Sequence, residues 1–336
     1  MPAAPLVEQF RERPPRRILV VQTAFLGDTV FTSALVAGLA RRFPTASIEL
    51  CVAPRGRDVA EAMPGAARVH LFDKRGADRG IAGLLRVARG LRGSDLAVLP
   101  HRSLRSAALA FLARAPVRLG FSGAPGSLLY THRARDSGST FLEREAQLGL
   151  ALGAEPEPML LVPRHLDAAR ALLAGRRAAA LCVGSEWATK IWPPERLGDL
   201  AALLARRGFL PLLLGGPRER ELSAQVAARS GTACLDTTGN PVGEALALLS
   251  LSKLCVGGDT GLVHAARALH VPTVALFGPT SPEAHSFGAR SLPVSLRLDC
   301  APCSTHGSAR CPLGHHRCLR DLDEGRVLAA CEAVLA

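Results

Sequence analysis

From Arg17 onward, short unbroken apolar runs alternate with longer stretches in which apolar positions recur every three or four residues. The run Arg17–Thr23 (RILVVQT) has no polar alternation, so it predicts a strand covered on both faces. Gly27–Phe43 has helical spacing, and Ser47–Val52 is again strand-like. Arg57–Met63, Ile81–Leu91 and Leu104–Arg114 predict helices between strands at Arg68–Phe72, Asp95–Leu99 and Val117–Phe121. The stretch Ser122–Ser139, rich in Gly, Ser and Arg, predicts a loop facing a groove. Helices at Thr140–Leu152 and His165–Ala174 flank a connection carrying Pro156, Pro158 and Pro163, where a domain boundary is expected.

The alternation restarts at Ala178. Strands are predicted at Ala178–Val183, Phe209–Leu214, Ala233–Asp236, Leu254–Val256 and Thr273–Phe277. Helices are predicted at Pro194–Arg207, Arg218–Arg229, Val242–Leu249, Gly261–Leu269 and Glu324–Val334. The expected architecture is α/β: two doubly wound Rossmann-like domains, 17–165 and 176–322, facing a central cleft at the carboxyl ends of their strands. Residues 323–336 are expected to form a terminal helix that packs back on the first domain.

Composition narrows the partners. At 336 residues with 48% hydrophobic and 21% charged, each half can bury a core, which excludes disorder. The net charge of +12 favours phosphates or an anionic membrane face. Nearly all of it is arginine, since lysine occurs only at Lys74, Lys190 and Lys253. The arginines are scattered, as at Arg41, Arg42, Arg86, Arg89 and Arg92, and aromatics make up only 4%, so nucleic-acid binding is not expected. Residues 1–16 lack the apolar core of a signal peptide, and no run of about 18 apolar residues offers a membrane span. The expectation is a cytoplasmic protein, peripheral to the membrane at most, whose nine cysteines stay largely reduced.

Ligands of such sheets bind at strand-to-helix turns, and four turns carry chemistry. In Gln22–Thr29 a single Gly27 precedes Asp28 at a helix start; the G-x-G-x-x-G dinucleotide pattern is missing. Asp28 is either a helix cap or a general base. In Gly184–Pro193, Ser185, Thr189 and Lys190 suit phosphate oxygens, the lysine as a compact point charge. In Gly258–His264, Asp259, Thr260 and Gly261 open a helix whose amides and dipole favour an anion, with His264 in the first turn. Asp-Thr-Gly also marks aspartic proteases, but those use two copies on β-rich folds. Leu276–Pro282 is a turn able to close a nucleotide pocket.

In this order, Leu-Gly-Asp, Lys-x-Trp-Pro, Asp-Thr-Gly-x-x-His, Leu-Phe-Gly-Pro-Thr and the late Cys-x-x-Cys with Cys-Pro-Leu-Gly-His-His resemble glycosyltransferase family 9. These are the bacterial lipopolysaccharide heptosyltransferases, and the likeness is nearest to their heptosyltransferase II branch. It runs from Arg17 to the last helix. It implies a GT-B fold and inverting transfer of L-glycero-D-manno-heptose from ADP-heptose to the lipid A-linked inner core, without a metal. It also implies a monomer at the cytoplasmic face of the inner membrane. Carried over, Asp28 is the base, Ser185, Thr189 and Lys190 hold the diphosphate, and Asp259, Thr260, Gly261 and His264 line the ADP and donor-sugar site. Glu219, after Gly215-Gly216, reaches toward the ribose. Val183-Gly184 and Ser33-Ala34 stand where the family has Pro-Gly and Thr-Pro; altered loop shape is expected at both.

Cys300, Cys303, Cys311 and Cys318 share a short segment with His306, His315 and His316. The first pair has zinc-ligand spacing and the second is looser, so a structural zinc competes with plain reduced cysteines packed in a loop. A sugar-nucleotide epimerase of the same architecture, a non-catalytic nucleotide-binding protein and a zinc-dependent nucleic-acid binder are the rival functions. Free-sugar isomerisation, an inert Asp28→Ala, and metal content with salt-dependent DNA binding would reveal each.

Overall fold

The computed structural model describes residues 6–336. The first five residues of the stretch read above for a leader lie outside the described residues. The chain divides into two compact units after Val162, within the proline-rich connection.

The first unit opens with α1 (Leu6–Glu12), which the sequence pattern did not predict. It continues through β1 (Arg17–Gln22), α2 (Leu26–Arg42), β2 (Ser47–Val52), α3 (Arg57–Glu61) and β3 (Ala66–Leu71). Then come α4 (Gly80–Gly90), β4 (Leu96–Leu99), α5 (Leu104–Leu112), β5 (Val117–Phe121), β6 (His132–Ala134) and α6 (Phe141–Leu150). Its six strands pair in the order β3-β2-β1-β4-β5-β6, each pair parallel. The unbroken apolar run of β1 now has its reason: Ile18, Leu19, Val20 and Val21 are all fully buried between helices on both faces.

The second unit has α7 (Asp167–Leu173), β7 (Ala178–Cys182), α8 (Pro194–Arg206), β8 (Leu210–Leu214), α9 (Arg220–Ser230) and β9 (Leu235–Asp236). It closes with α10 (Val242–Leu251), β10 (Leu254–Gly258), α11 (Gly261–Ala268), β11 (Thr273–Phe277), β12 (Ser291–Ser295), α12 (Arg317–Arg320) and α13 (Glu324–Leu335). The sheet repeats the first, in the order β12-β11-β10-β7-β8-β9 and parallel throughout. In each sheet the strand order reverses beside the unit's first strand: between β1 and β4, and between β7 and β10. Loops leaving such a point diverge to opposite faces and leave room for a ligand.

Three expectations are corrected. The expected loop Ser122–Ser139 contains strand β6 at a sheet edge. The last helix joins the second unit: Val327, Leu328, Cys331 and Val334 of α13 lie in the core built by α8, β10 and β11. The chain before α13 is fastened there by the Trp192 indole, which donates to the Leu322 carbonyl at 3.1 Å. Ser33-Ala34 is helix interior, where a proline would break the backbone ladder. Ser33 is buried and its hydroxyl accepts from the Leu160 amide at 3.2 Å.

Candidate functional site

At the turning point of the second sheet, Asp259 follows β10 and sits 6% exposed. Lys190 Nζ donates to its Oδ2 at 2.8 Å, and Thr280 Oγ1 donates to the same oxygen at 2.8 Å. His264 Nε2 lies 2.9 Å from Oδ1, and His285 Nε2 3.6 Å from it. Burial alone would raise the Asp259 carboxyl. The hydrogen bond of His264 and the charge it gains in acid, then Lys190 and, in acid, His285, outweigh it and hold the group below the ordinary carboxylate range.

Arg267, one turn further along α11, fixes the tautomer of His264. Its Nη1 lies 3.1 Å from His264 Nδ1, and a guanidinium can only donate, so Nδ1 accepts and Nε2 carries the hydrogen toward Asp259. Burial lowers the His264 pKa, and burial brings Arg267 down to about 10. Arg267 Nη2 also donates to the Ser286 carbonyl. That segment carries His285, whose ring stacks on His264 at 4.7 Å between centroids and 19° between planes. Burial, followed by His264, brings His285 down to about 3, so both imidazoles are neutral near pH 7.

Close backbone approach assembles this site. A Cβ on Gly258 would collide with the Lys190 carbonyl, so glycine lets the loop after β7 lie against the end of β10. A Cβ on Gly184 would collide with Glu219 Cγ, which brings Glu219 over the end of β7 beside half-buried Ser185. Thr260 precedes the first residue of α11, Gly261. Thr189 departs from the expectation. Its hydroxyl donates to the Ser308 carbonyl at 2.9 Å and accepts from the Ser308 amide at 2.8 Å. A hydroxyl has one proton, so this clamp replaces the phosphate contact the sequence assigned.

The sequence reading missed His285 and Arg267. Arg267 had a signal, since it lies three residues after His264 and therefore on the same helix face. His285 had none in its spacing, because it sits in the loop after β11.

At the turning point of the first sheet, Asp28 is the third residue of α2, and its Oδ2 accepts from the Phe25 amide at 3.1 Å. It therefore does cap the helix, and the capping bond fixes its place after β1. Beside it, Lys74 Nζ donates to the Thr23 carbonyl at 2.8 Å. The Thr23 hydroxyl lies 3.0 Å from His101 Nδ1 and 3.2 Å from Ser106 Oγ. Burial, with Lys74 adding to it, brings His101 down to about 4. Lys74 is itself lowered by burial and then by Arg105, Arg75 and Arg55. Phe25, Arg55, Lys74, Arg75 and His101 line a pocket here. Asp73 lines it too, but accepts from the amides of Arg75, Gly76 and Ala77. The pocket thus concentrates positive charge at strand ends.

Among the described residues, Asp259, His264 and His285 are the group whose ligand atoms lie within 4.8 Å of one another in a manner that could hold a metal. Lys190 already supplies a cation there. Cys300, Cys303 and Cys311 lie near enough to act on Cys318, whose thiol burial raises to about 11. All are free thiols, and their sulfurs do not form a comparably tight group. No helix among the described residues is long and apolar enough to cross a membrane.

Comparison with known proteins places this geometry. The family model for glycosyltransferase family 9 (heptosyltransferase) matches residues 84–312, which include the Asp259 cluster and begin after Asp28. Lipopolysaccharide heptosyltransferase 1 of Pseudomonas aeruginosa is 36% identical over 109 residues, 32% of this chain and 30% of that protein. The chain thus aligns with less than a third of the length of this curated relative. The solved family 9 glycosyl transferase from Veillonella parvula superposes with a TM-score of 0.82 at 23% identity, covering 95% of this chain and 97% of that one. The E. coli ADP-heptose lps heptosyltransferase II gives 0.77 at 23% identity, covering 95% and 98%. At these identities the two structures establish a shared fold. With the family model matched over most of its length, the chain belongs to glycosyltransferase family 9.

Proposed function

We propose that this chain is an inverting heptosyltransferase of the GT-B type. It moves L-glycero-D-manno-heptose from ADP-heptose to the inner core of lipid A-linked lipopolysaccharide. The observation that carries this reading is the Asp259 cluster beside the start of α11. Asp259 holds Lys190 by one of its three N–H donors, leaving two to face a diphosphate, while the amides after Thr260 and Gly261 add a second set of donors. Such donors meet the charge that develops on departing ADP without having to reorganise. Ser185, next to the Gly184 against which Glu219 packs, is assigned to the diphosphate and Glu219 to the ribose hydroxyls. Neutral His264 and His285 keep Asp259 in place and avoid a second excess of charge.

Inversion requires one displacement, with a base on the acceptor and a leaving group opposite. Asp28 is the base: a carboxylate fixed by the α2 cap that takes the acceptor hydroxyl's proton as the oxygen attacks the anomeric carbon. The acceptor is rich in acidic groups, and the pocket of Arg55, Lys74 and Arg75 suits them. The net charge of +12 supports work at the anionic cytoplasmic face of a membrane, as a peripheral monomer. The test is ADP release from ADP-heptose by the purified chain with and without a lipid A-core acceptor. Release that needs the acceptor is expected. Equal release without it, or isomerised free sugar, would replace this reading with hydrolysis or epimerisation.

A further inference from the structure

Helix α6 is seated on α2 by stacking of Phe141 on Phe31, 5.5 Å between centroids and 6° between planes. That seat delivers Glu145 to the first turns of α2. Its side chain is half-buried along an apolar groove, but Oε2 is closed off from solvent and finds no hydrogen-bond partner. Oε1 lies 3.3 Å from the Thr32 hydroxyl.

Thr32 links Glu145 to the backbone of Asp28. Its Oγ1 is 3.0 Å from Gln22 Nε2 and 3.0 Å from the Asp28 carbonyl. The Gln22 amide is oriented by the Ala24 amide, which donates to Gln22 Oε1 at 3.3 Å, so Nε2 is a donor toward Thr32. The hydroxyl has one proton and two lone pairs. The Asp28 carbonyl can only accept. With Glu145 ionised, two acceptors contest one proton: if the hydroxyl turns to Glu145, the Asp28 carbonyl keeps only the helical hydrogen bond of the Thr32 amide. With Glu145 protonated, its O–H donates to Thr32, Thr32 donates to the Asp28 carbonyl, and all three contacts are satisfied.

We propose that Glu145 is a positioning residue for the Asp28 base. It is a neutral carboxylic acid that anchors the first turns of α2 through Thr32 and leaves Asp28 the one ionised carboxylate of the pair. This rests on the reading of Asp28 as the base. The charged groups around Glu145 agree with it. Burial, then repulsion from Asp28, raises its carboxyl to about 8, against a smaller pull from Thr32. Its own helix adds Glu143, tied to Ser139 and the amide of Thr140, and Arg144, which donates to the Gly138 carbonyl; the segment after α6 brings Glu155 and Glu157, the latter paired with Arg41, to the same groove. β1 presents only Gln22 to the Thr32 hydroxyl. When Glu145 ionises, it competes with the Asp28 carbonyl for the Thr32 proton and repels the Asp28 carboxylate, disturbing the base.

The experiment is a carbon-13 NMR titration of glutamate-labelled full chain. The Glu145 signal is assigned by its loss in Glu145→Gln, with Glu145→Asp as the second assignment variant. A midpoint near 8, falling in Asp28→Asn, is expected. A midpoint in the ordinary glutamate range, or a high one that Asp28→Asn leaves unmoved, overturns the proposal. This readout holds even for a chain that transfers no sugar, so it fails separately from the proposed function. In the transferase assay, kcat should fall about tenfold one pH unit above the midpoint while the donor KM stays constant. Glu145→Gln, neutral at every pH, should match the native kcat at pH 7 and lose that alkaline fall. Identical pH profiles for the two proteins would sink the idea.

Discussion

At the second sheet's turning point, Asp259 is buried, touches Lys190, Thr280 and His264, and leans on two neutral imidazoles. At the first sheet's turning point, Asp28 stands half-buried at a helix start, near Glu145, whose carboxyl burial raises to about 8, and a pocket where cations gather. The topology is the same and the electrostatics are opposite. In the second unit, opposite charges neutralise one another before any ligand arrives, so the site is held rigid by its own contacts. In the first, Lys74 is held near Arg55, Arg75 and Arg105 at a cost to its own charge, and an acidic ligand would ease that repulsion. Substitutions should therefore separate stability from activity: the Asp259 cluster governs both, the Asp28 region mainly activity.

The largest expected effect is on the proposed base. Asp28→Asn keeps the shape and a capping acceptor but cannot take a proton. Acceptor-dependent transfer should fall by about 10²- to 10⁴-fold, with donor KM and melting temperature nearly unchanged. If activity falls only a fewfold, Asp28 is a cap and the two regions differ less than argued.

Next is Asp259→Ala. It strands Lys190 and Arg267 in a pocket that is largely closed to water. Breaking a buried pair on one side costs about 3–5 kcal/mol, read as a lower denaturant midpoint for the second unit. A loss under about 1 kcal/mol, the range of exposed pairs, would mean that water screens the cluster.

The third effect is acid sensitivity. His285 titrates at about 3 in the fold and near 6.5 when unfolded. Below pH 6.5 the unfolded chain therefore binds the extra proton, and stability falls as pH drops toward 3, by up to about 1.4 kcal/mol per unit. Asp259 works in the same direction at lower pH. Its depressed carboxyl stabilises the fold above the ordinary carboxylate pKa and loses that contribution as acid protonates it. His285→Asn should flatten the slope between pH 6.5 and 4; an unchanged slope would assign it to His101 instead.

Much of this contrast was legible in the sequence. Unbroken apolar runs marked the central strands because helices cover both faces of each sheet. Asp28, Lys190, Asp259 and His264 fell at strand ends, where doubly wound sheets bind ligands. What escaped had weak local signals. β6 has three residues at a sheet edge, and β12 carries Pro293 within its span at the equivalent edge of the second sheet, so neither shows a buried run. His285 reaches Asp259 only through the fold of the loop after β11. Thr189 looked free for phosphate because nothing near it in sequence announces Ser308. Glu145 read as one more polar position on an amphipathic helix, and its meaning depends on α2 lying beneath it.

The smallest effect tests the like-charged pocket. Lys74 is lowered by burial and by its arginine neighbours, so its charge opposes the fold. Lys74→Met keeps the stem and removes the charge. Because the side chain is only partly buried, solvent screening limits the stability gain to under about 1 kcal/mol. Binding of an acidic acceptor should weaken by about tenfold, one lost charge-assisted contact of roughly 1.4 kcal/mol, and depend less on salt. Donor binding in the second unit should not change. A variant that is destabilised, with unaltered acceptor affinity, would make Lys74 a structural prop for the Thr23 carbonyl, and the two turning points would then be alike in kind.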